Sequence, residues 1–176
     1  MPYGNLSLAM REALKPLVKG RVIYDLGAGD LDHAKTLLRC GASAIMAVEK
    51  DPLPVTLHPS LNITLIESLI TSVPVPADLD VVFLGWPQNY FIPGLLTWMK
   101  AAKTLIYLGH NFDGTACGFP DMFEHMQERR LDLHIPDARN TLIVVSERLN
   151  FPRHSTPEEA AAASDDVVPC PLKRPK

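Results

Sequence analysis

Two glycines one residue apart, Gly27 and Gly29, stand among three carboxylates, Asp25, Asp30 and Asp32, in the run YDLGAGDLD. Glycine lets the backbone approach a ligand closely, and a helix opening behind such a turn offers free N–H groups. A dinucleotide pyrophosphate site carries a third glycine where this chain has Asp32. Asp30 and Asp32 would repel a pyrophosphate; they suit a cationic ligand, or capping of the helix start. Glu49 ends a second apolar run downstream. A carboxylate there can accept hydrogen bonds from both hydroxyls of a ribose, and Asp51 could substitute for it. The turn and Glu49 together favour a cationic ligand with a ribose over a dinucleotide.

Other residues could work on a second substrate. His110 and Asp113 follow the run TLIYLG and are placed to accept a proton; an unperturbed imidazole titrates near neutrality. Trp86 and Tyr90 could stack on a planar molecule or wall a pocket. Cys117, in GTACG, has no activating neighbour in the sequence and reads as a structural thiol. Cys40, Cys117 and Cys170 show neither CxxC nor Cys/His spacing, so no metal site and no disulfide framework is expected.

These residues need elements to position them. Residues 21–26 form a short β-rich run entering the glycine turn. Behind the turn, Leu31, Ala34, Leu37 and Leu38 recur at helical spacing, and AIMAV at 44–48 is a second strand. Strand, turn, helix and strand make a βαβ unit with parallel pairing. Residues 63–66, 80–84 and 104–108 continue as strands, near-continuously apolar as central parallel strands are. Helices are expected over 6–18, 91–102 and 120–130. The last strands, 131–135 and 142–145, flank the turn-rich PDARN and should form an antiparallel hairpin at one sheet edge. The expected fold class is α/β: a Rossmann-like, doubly wound, mostly parallel seven-stranded sheet with an antiparallel C-terminal hairpin.

Residues 1–150 fit one domain, followed at 151–176 by a Pro/Ala-rich, acidic stretch of disordered-tail composition. With 47% hydrophobic and 21% charged residues, the composition is that of a globular protein. A net charge of -3 creates no whole-chain attraction for nucleic acid. No apolar run approaches a membrane span, and the N-terminus lacks a signal-peptide core. A cytoplasmic, reducing location is the expectation.

The series DLGAGDL, AVEKD, LIES and DVVFLGWPQ resembles the motifs of class I S-adenosylmethionine-dependent methyltransferases, over residues 21–150. The resemblance implies S-adenosylmethionine as cofactor. It implies that Gly27 and Gly29 pass the methionine part, with Asp25 close to the amino group. Glu49 would hold the ribose hydroxyls, Glu67 and Ser68 would sit at the adenine edge, and Trp86 would join them from the fourth motif. Gly85-Trp86-Pro87-Gln88 falls where amino-methyltransferases carry (Asn/Asp)-Pro-Pro-(Tyr/Phe). The amide or carboxylate that would accept from a target amine is missing, which argues against nucleic-acid amino methylation; Asn89 could serve only from a shifted position. The segments TLIYLGHNFDGTACG and PDARNTLIVV resemble small members of the superfamily and bring no substrate assignment. The expected partner is an unidentified methyl acceptor, a small molecule or a target presented by another protein. The alternatives are a catalytically silent subunit of the same fold and, disfavoured by Asp32, a nicotinamide-dependent oxidoreductase.

Overall fold

Apolar runs flanked by helices become parallel strands because both of their faces can be covered. The computed structural model describes residues 5–54, 57–88, 92–110, 117–137 and 140–147. In it the five runs are β1 (Val22–Leu26), β2 (Ala44–Glu49), β3 (Ile63–Glu67), β4 (Val81–Gly85) and β5 (Thr104–Gly109). Two more strands, β6 (Arg130–Pro136) and β7 (Thr141–Ser146), complete a sheet of order β3-β2-β1-β4-β5-β7-β6. The pairings from β3 across to β5 are parallel, and β7 runs antiparallel to both β5 and β6. This is the α/β class that the sequence pattern predicts.

The hairpin lies at a sheet edge, but its second strand turns inward. β7 (TLIVVS) is buried at five consecutive positions and fits between two neighbours, whereas half-exposed β6 (RLDLHIP) forms the edge. The local composition decides which strand takes which place.

Helices cover both faces. α1 (Leu8–Val18) and α2 (Asp32–Arg39) pack on one face, and α3 (Leu95–Ala101) and α4 (Pro120–Gln127) on the other. Ser7 caps α1, its Oγ accepting from the Met10 N–H at 3.3 Å. Met10, Leu14 and Val18 then recur every fourth residue on the buried face, each side chain contributing about 1.5–3 kcal/mol by leaving water. The helix expected over 91–102 is shorter: α3 begins only at Leu95, because Gly94 adopts a left-handed conformation with φ 81°. Pro93 and Gly94 form a turn instead of a first helical turn, and Phe91 lies outside the described residues.

Arg21 ties the amino ends of the central strands together. Its guanidinium donates to the Asp80 carboxylate at 2.7 Å, to Thr104 Oγ1 at 2.9 Å and to the Leu17 carbonyl at 3.0 Å. This clamp lies at the end of the sheet opposite the glycine turn. Strand order reverses at β1, which has β2 on one side and β4 on the other. A doubly wound sheet opens a crevice at such a switch point, beyond the carboxyl ends of the strands. No helix among the described residues is long and apolar enough to cross a membrane.

Candidate cofactor and acceptor site

The glycine turn leaves β1 through three left-handed residues: Gly27 at φ 80°, Gly29 at φ 54° and Leu31 at φ 64°. A Cβ added at Gly27 or Gly29 would meet no atom within 4 Å. Packing therefore does not demand glycine at either place. The backbone conformation does, and the space beside it is open. Leu31 tolerates its conformation because its side chain is 1% exposed, in the core under α1 and α2.

The end of β2 holds the turn. The N–H groups of Gly27 and Ala28 donate to the Val48 carbonyl at 2.8 and 3.2 Å. At the end of β2, half-buried Glu49 adds a side-chain bridge: Oε2 accepts from the Gly29 N–H at 2.9 Å and Oε1 from the Asp51 N–H at 3.1 Å. Each carboxylate oxygen keeps a second lone pair for a further donor. Glu49 is thus the residue that fastens the glycine turn to the loop after β2. Asp51 itself is exposed and contributes its backbone N–H to this bridge.

Asp25 differs from the other acids. It is 1% exposed, and its Oδ2 has no hydrogen-bond partner among the described residues. Burial, with the nearby charges of Glu49 and Asp30 adding to it, pushes its carboxyl up to about 7. A buried carboxylate without a partner is costly unless a cation or donor meets it. Asp30 and Asp32 do local work at the surface instead. Asp30 accepts from the Asp32 N–H at 3.1 Å, and Asp32 pairs with Lys35 at 3.2 Å. The N-cap position of α2 is Leu31, which makes no side-chain cap bond, so neither acid caps the helix from that position.

The remaining predicted residues distribute around the same rim. Glu67 ends β3 beside Glu49, its strand neighbour, and the Ser68 N–H donates to the Glu49 carbonyl at 3.0 Å. Trp86 follows β4 in a left-handed conformation with φ 54°, and its N–H donates to the Leu108 carbonyl at 2.7 Å. Its indole meets the His110 ring edge-on, with centroids 4.7 Å apart and planes at 83°. The fold therefore brings Trp86 and His110 together at the ends of β4 and β5. Asp113, Asn89 and Tyr90 lie outside the described residues. No group of three or more His, Cys, Asp or Glu among the described residues is arranged to hold a metal ion.

One residue escapes sequence reasoning. His33, in the first turn of α2, packs its ring against Phe83 with centroids 5.5 Å apart. A Cβ on Gly85 would lie 3.1 Å from His33 Nδ1 and 2.8 Å from Phe83 Cε1. No spacing rule links position 33 to position 85. The contact exists only because the fold sets the first turn of α2 beside the end of β4, and the sole hint in the sequence is that His33 closely follows the glycine turn.

No family model matches the sequence, and no curated protein matches it. Solved structures do match. An S-adenosylmethionine-dependent methyltransferase from Mesorhizobium loti superposes with a TM-score of 0.59 at 10% identity, over 82% of this chain and 99% of that one. The chain has the class I methyltransferase fold. The ribosomal protein L11 methylase of Lactobacillus delbrueckii subsp. bulgaricus shares this methyltransferase fold with a TM-score of 0.56 at 17% identity, over 82% of this chain and 81% of that one. The 1,6-didemethyltoxoflavin-N1-methyltransferase of Burkholderia thailandensis, seen with 1,6-didemethyltoxoflavin and S-adenosylhomocysteine bound, gives 0.55 at 11% identity, over 78% and 77%. At Gly85, where amino-methyltransferases carry Asn or Asp, this chain has little space for a side chain. An Asn or Asp side chain there would have to displace the rings of Phe83 and His33.

Proposed function

We propose that this protein is an S-adenosylmethionine-dependent methyltransferase acting on a small or partner-presented acceptor. The observation that carries the proposal is the buried Asp25 carboxylate, whose Oδ2 has no partner among the described residues, at the foot of an open glycine turn with Glu49 beside it. S-Adenosylmethionine brings an ammonium group, a sulfonium and a ribose diol, and the residues present fit each polar end. Asp25 would take the ammonium group, and Gly27 and Gly29 would let the backbone pass the methionine chain. Glu49 would use its spare lone pairs on the ribose hydroxyls. The Glu67–Ser68 corner would border the adenine. Trp86 and His110 would wall the acceptor side.

When bound, the cofactor supplies an electrophilic methyl group on a sulfonium. The chain's own task is to orient the two reactants in line and keep water out, which yields much of the rate of such a displacement. A base is needed only for an acceptor that must lose a proton.

The test is incubation of the protein with S-adenosylmethionine labelled in its methyl group and a fractionated small-molecule extract. The expected result is label in an acceptor fraction with equivalent S-adenosylhomocysteine, both absent for Gly29→Val. Cofactor binding without transfer to any fraction would favour a silent binding subunit. Absence of both would refute the proposal.

A further inference from the structure

Asp25 and Phe83 are paired across β1 and β4. Both lie on the α2 side of the sheet, since Ile23 and Phe83 belong to the core under α1 and α2 and side chains alternate along a strand. Gly85, two residues beyond Phe83, points to that same side, where its missing side chain leaves room for the His33 ring. One face of the β1–β4 crevice therefore carries an acid at its foot and an imidazole at its rim. His33 is only half-buried and stands in the first turn behind the glycine loop.

We propose that His33 is the polar group facing the reacting end of this site, where a side chain on Gly85 would otherwise stand. The proposal rests on the cofactor reading above. Two methylenes separate the ammonium-bearing carbon of S-adenosylmethionine from its sulfur. An ammonium held at Asp25 therefore leaves the sulfonium close to the imidazole on the same face. There His33 would take the proton that an O–H or ring N–H acceptor loses as its new bond to the methyl carbon forms and the old S–C bond pair returns to sulfur. An imidazole suits such protic acceptors, because it can hold the released proton near neutral pH.

The test needs no acceptor. S-Adenosylmethionine and S-adenosylhomocysteine differ by one methyl group and one positive charge on sulfur. All the protein's own charges, including Asp25, Asp30, Asp32 and Glu49, are common to both complexes. Histidine ring signals are followed by NMR through a pH titration of the full chain saturated with each ligand, and His33→Gln assigns the resonance. The His33 midpoint should lie about one pH unit lower with the sulfonium than with the thioether, from a like charge a few ångströms away. Correspondingly, the affinity for S-adenosylmethionine relative to S-adenosylhomocysteine should fall about tenfold on going from well above to well below that midpoint. His33→Gln should flatten this ratio. Equal His33 midpoints in the two complexes would overturn the proposal and leave the cofactor reading intact. Failure of both ligands to bind would overturn both. An intact spectrum of His33→Gln, apart from local changes, shows that the variant folds; if it does not fold, the wild-type midpoints decide.

Discussion

Lowering the pH from 7 to 5 should cost this protein most of its affinity for S-adenosylhomocysteine, because Asp25 must give up a proton to meet the ligand's ammonium group. The carboxyl is fully buried, its Oδ2 has no partner among the described residues, and burial together with Glu49 and Asp30 raises it to about 7. A paired ammonium stabilises only the ionised form. The ionised fraction of the free protein is about one half at pH 7 and about one hundredth at pH 5, so affinity should fall about fiftyfold, or about 2.3 kcal/mol. The ligand's α-amino group stays charged throughout this range, and S-adenosylhomocysteine lacks a sulfonium that would also bias nearby imidazoles. Calorimetric titrations in two buffers of different ionisation enthalpy count the protons. About one should be released per ligand bound at pH 5. Asp25→Asn should bind more weakly at pH 7 and lose most of the pH dependence. An affinity independent of pH in the wild type, or the same profile in Asp25→Asn, would refute the reasoning.

Asp25 should also shape the stability of the free protein. A folded value of about 7 against 3.8 unfolded means that the contribution is fully present below about pH 4 and is lost as pH rises through 7. Asp25→Asn should therefore stabilise the unliganded protein at pH 8, by up to roughly 4 kcal/mol in urea unfolding. Gly20 and Gly29 are both left-handed with open space where a Cβ would go. Gly20→Ala and Gly29→Ala should each cost about 1–2 kcal/mol of stability, but only Gly29→Ala should weaken S-adenosylhomocysteine binding; equal affinities would misplace the pocket. Glu49→Gln keeps the size of the side chain but turns an NH2 toward a backbone N–H. It should cost about 1–3 kcal/mol of stability through the loosened turn and lower the affinity roughly tenfold or more, as read by melting with and without ligand.

Much of the fold was legible because strands buried on both faces must be apolar throughout. The runs at Val22, Ala44, Val81 and Thr104 declare themselves, and helical spacing marks α1, α2 and α4. Gly94 set the start of α3 through a left-handed backbone that an apolar pattern over 91–102 does not register. The inward place of β7 follows from continuous burial against the alternation of β6, a difference visible in TLIVVS and RLDLHIP once both strands are known. At the site, Gly27, Gly29 and Glu49 were recognisable from spacing along one βαβ unit. The separation of Asp25 from Asp30 and Asp32 was not, since burial depends on what α2 covers. His33 was invisible for the same reason: its partners Phe83 and Gly85 are about fifty residues away in sequence and adjacent only in the fold.

The crevice between β1 and β4 should take an adenosyl amino acid and not a dinucleotide. Calorimetric titration of the full chain at pH 7.5 with S-adenosylhomocysteine, and separately with NAD, tests it most directly. One S-adenosylhomocysteine should bind saturably per chain, with binding abolished by Gly29→Val, and NAD should not bind. Binding of NAD alone, or of neither, would contradict it.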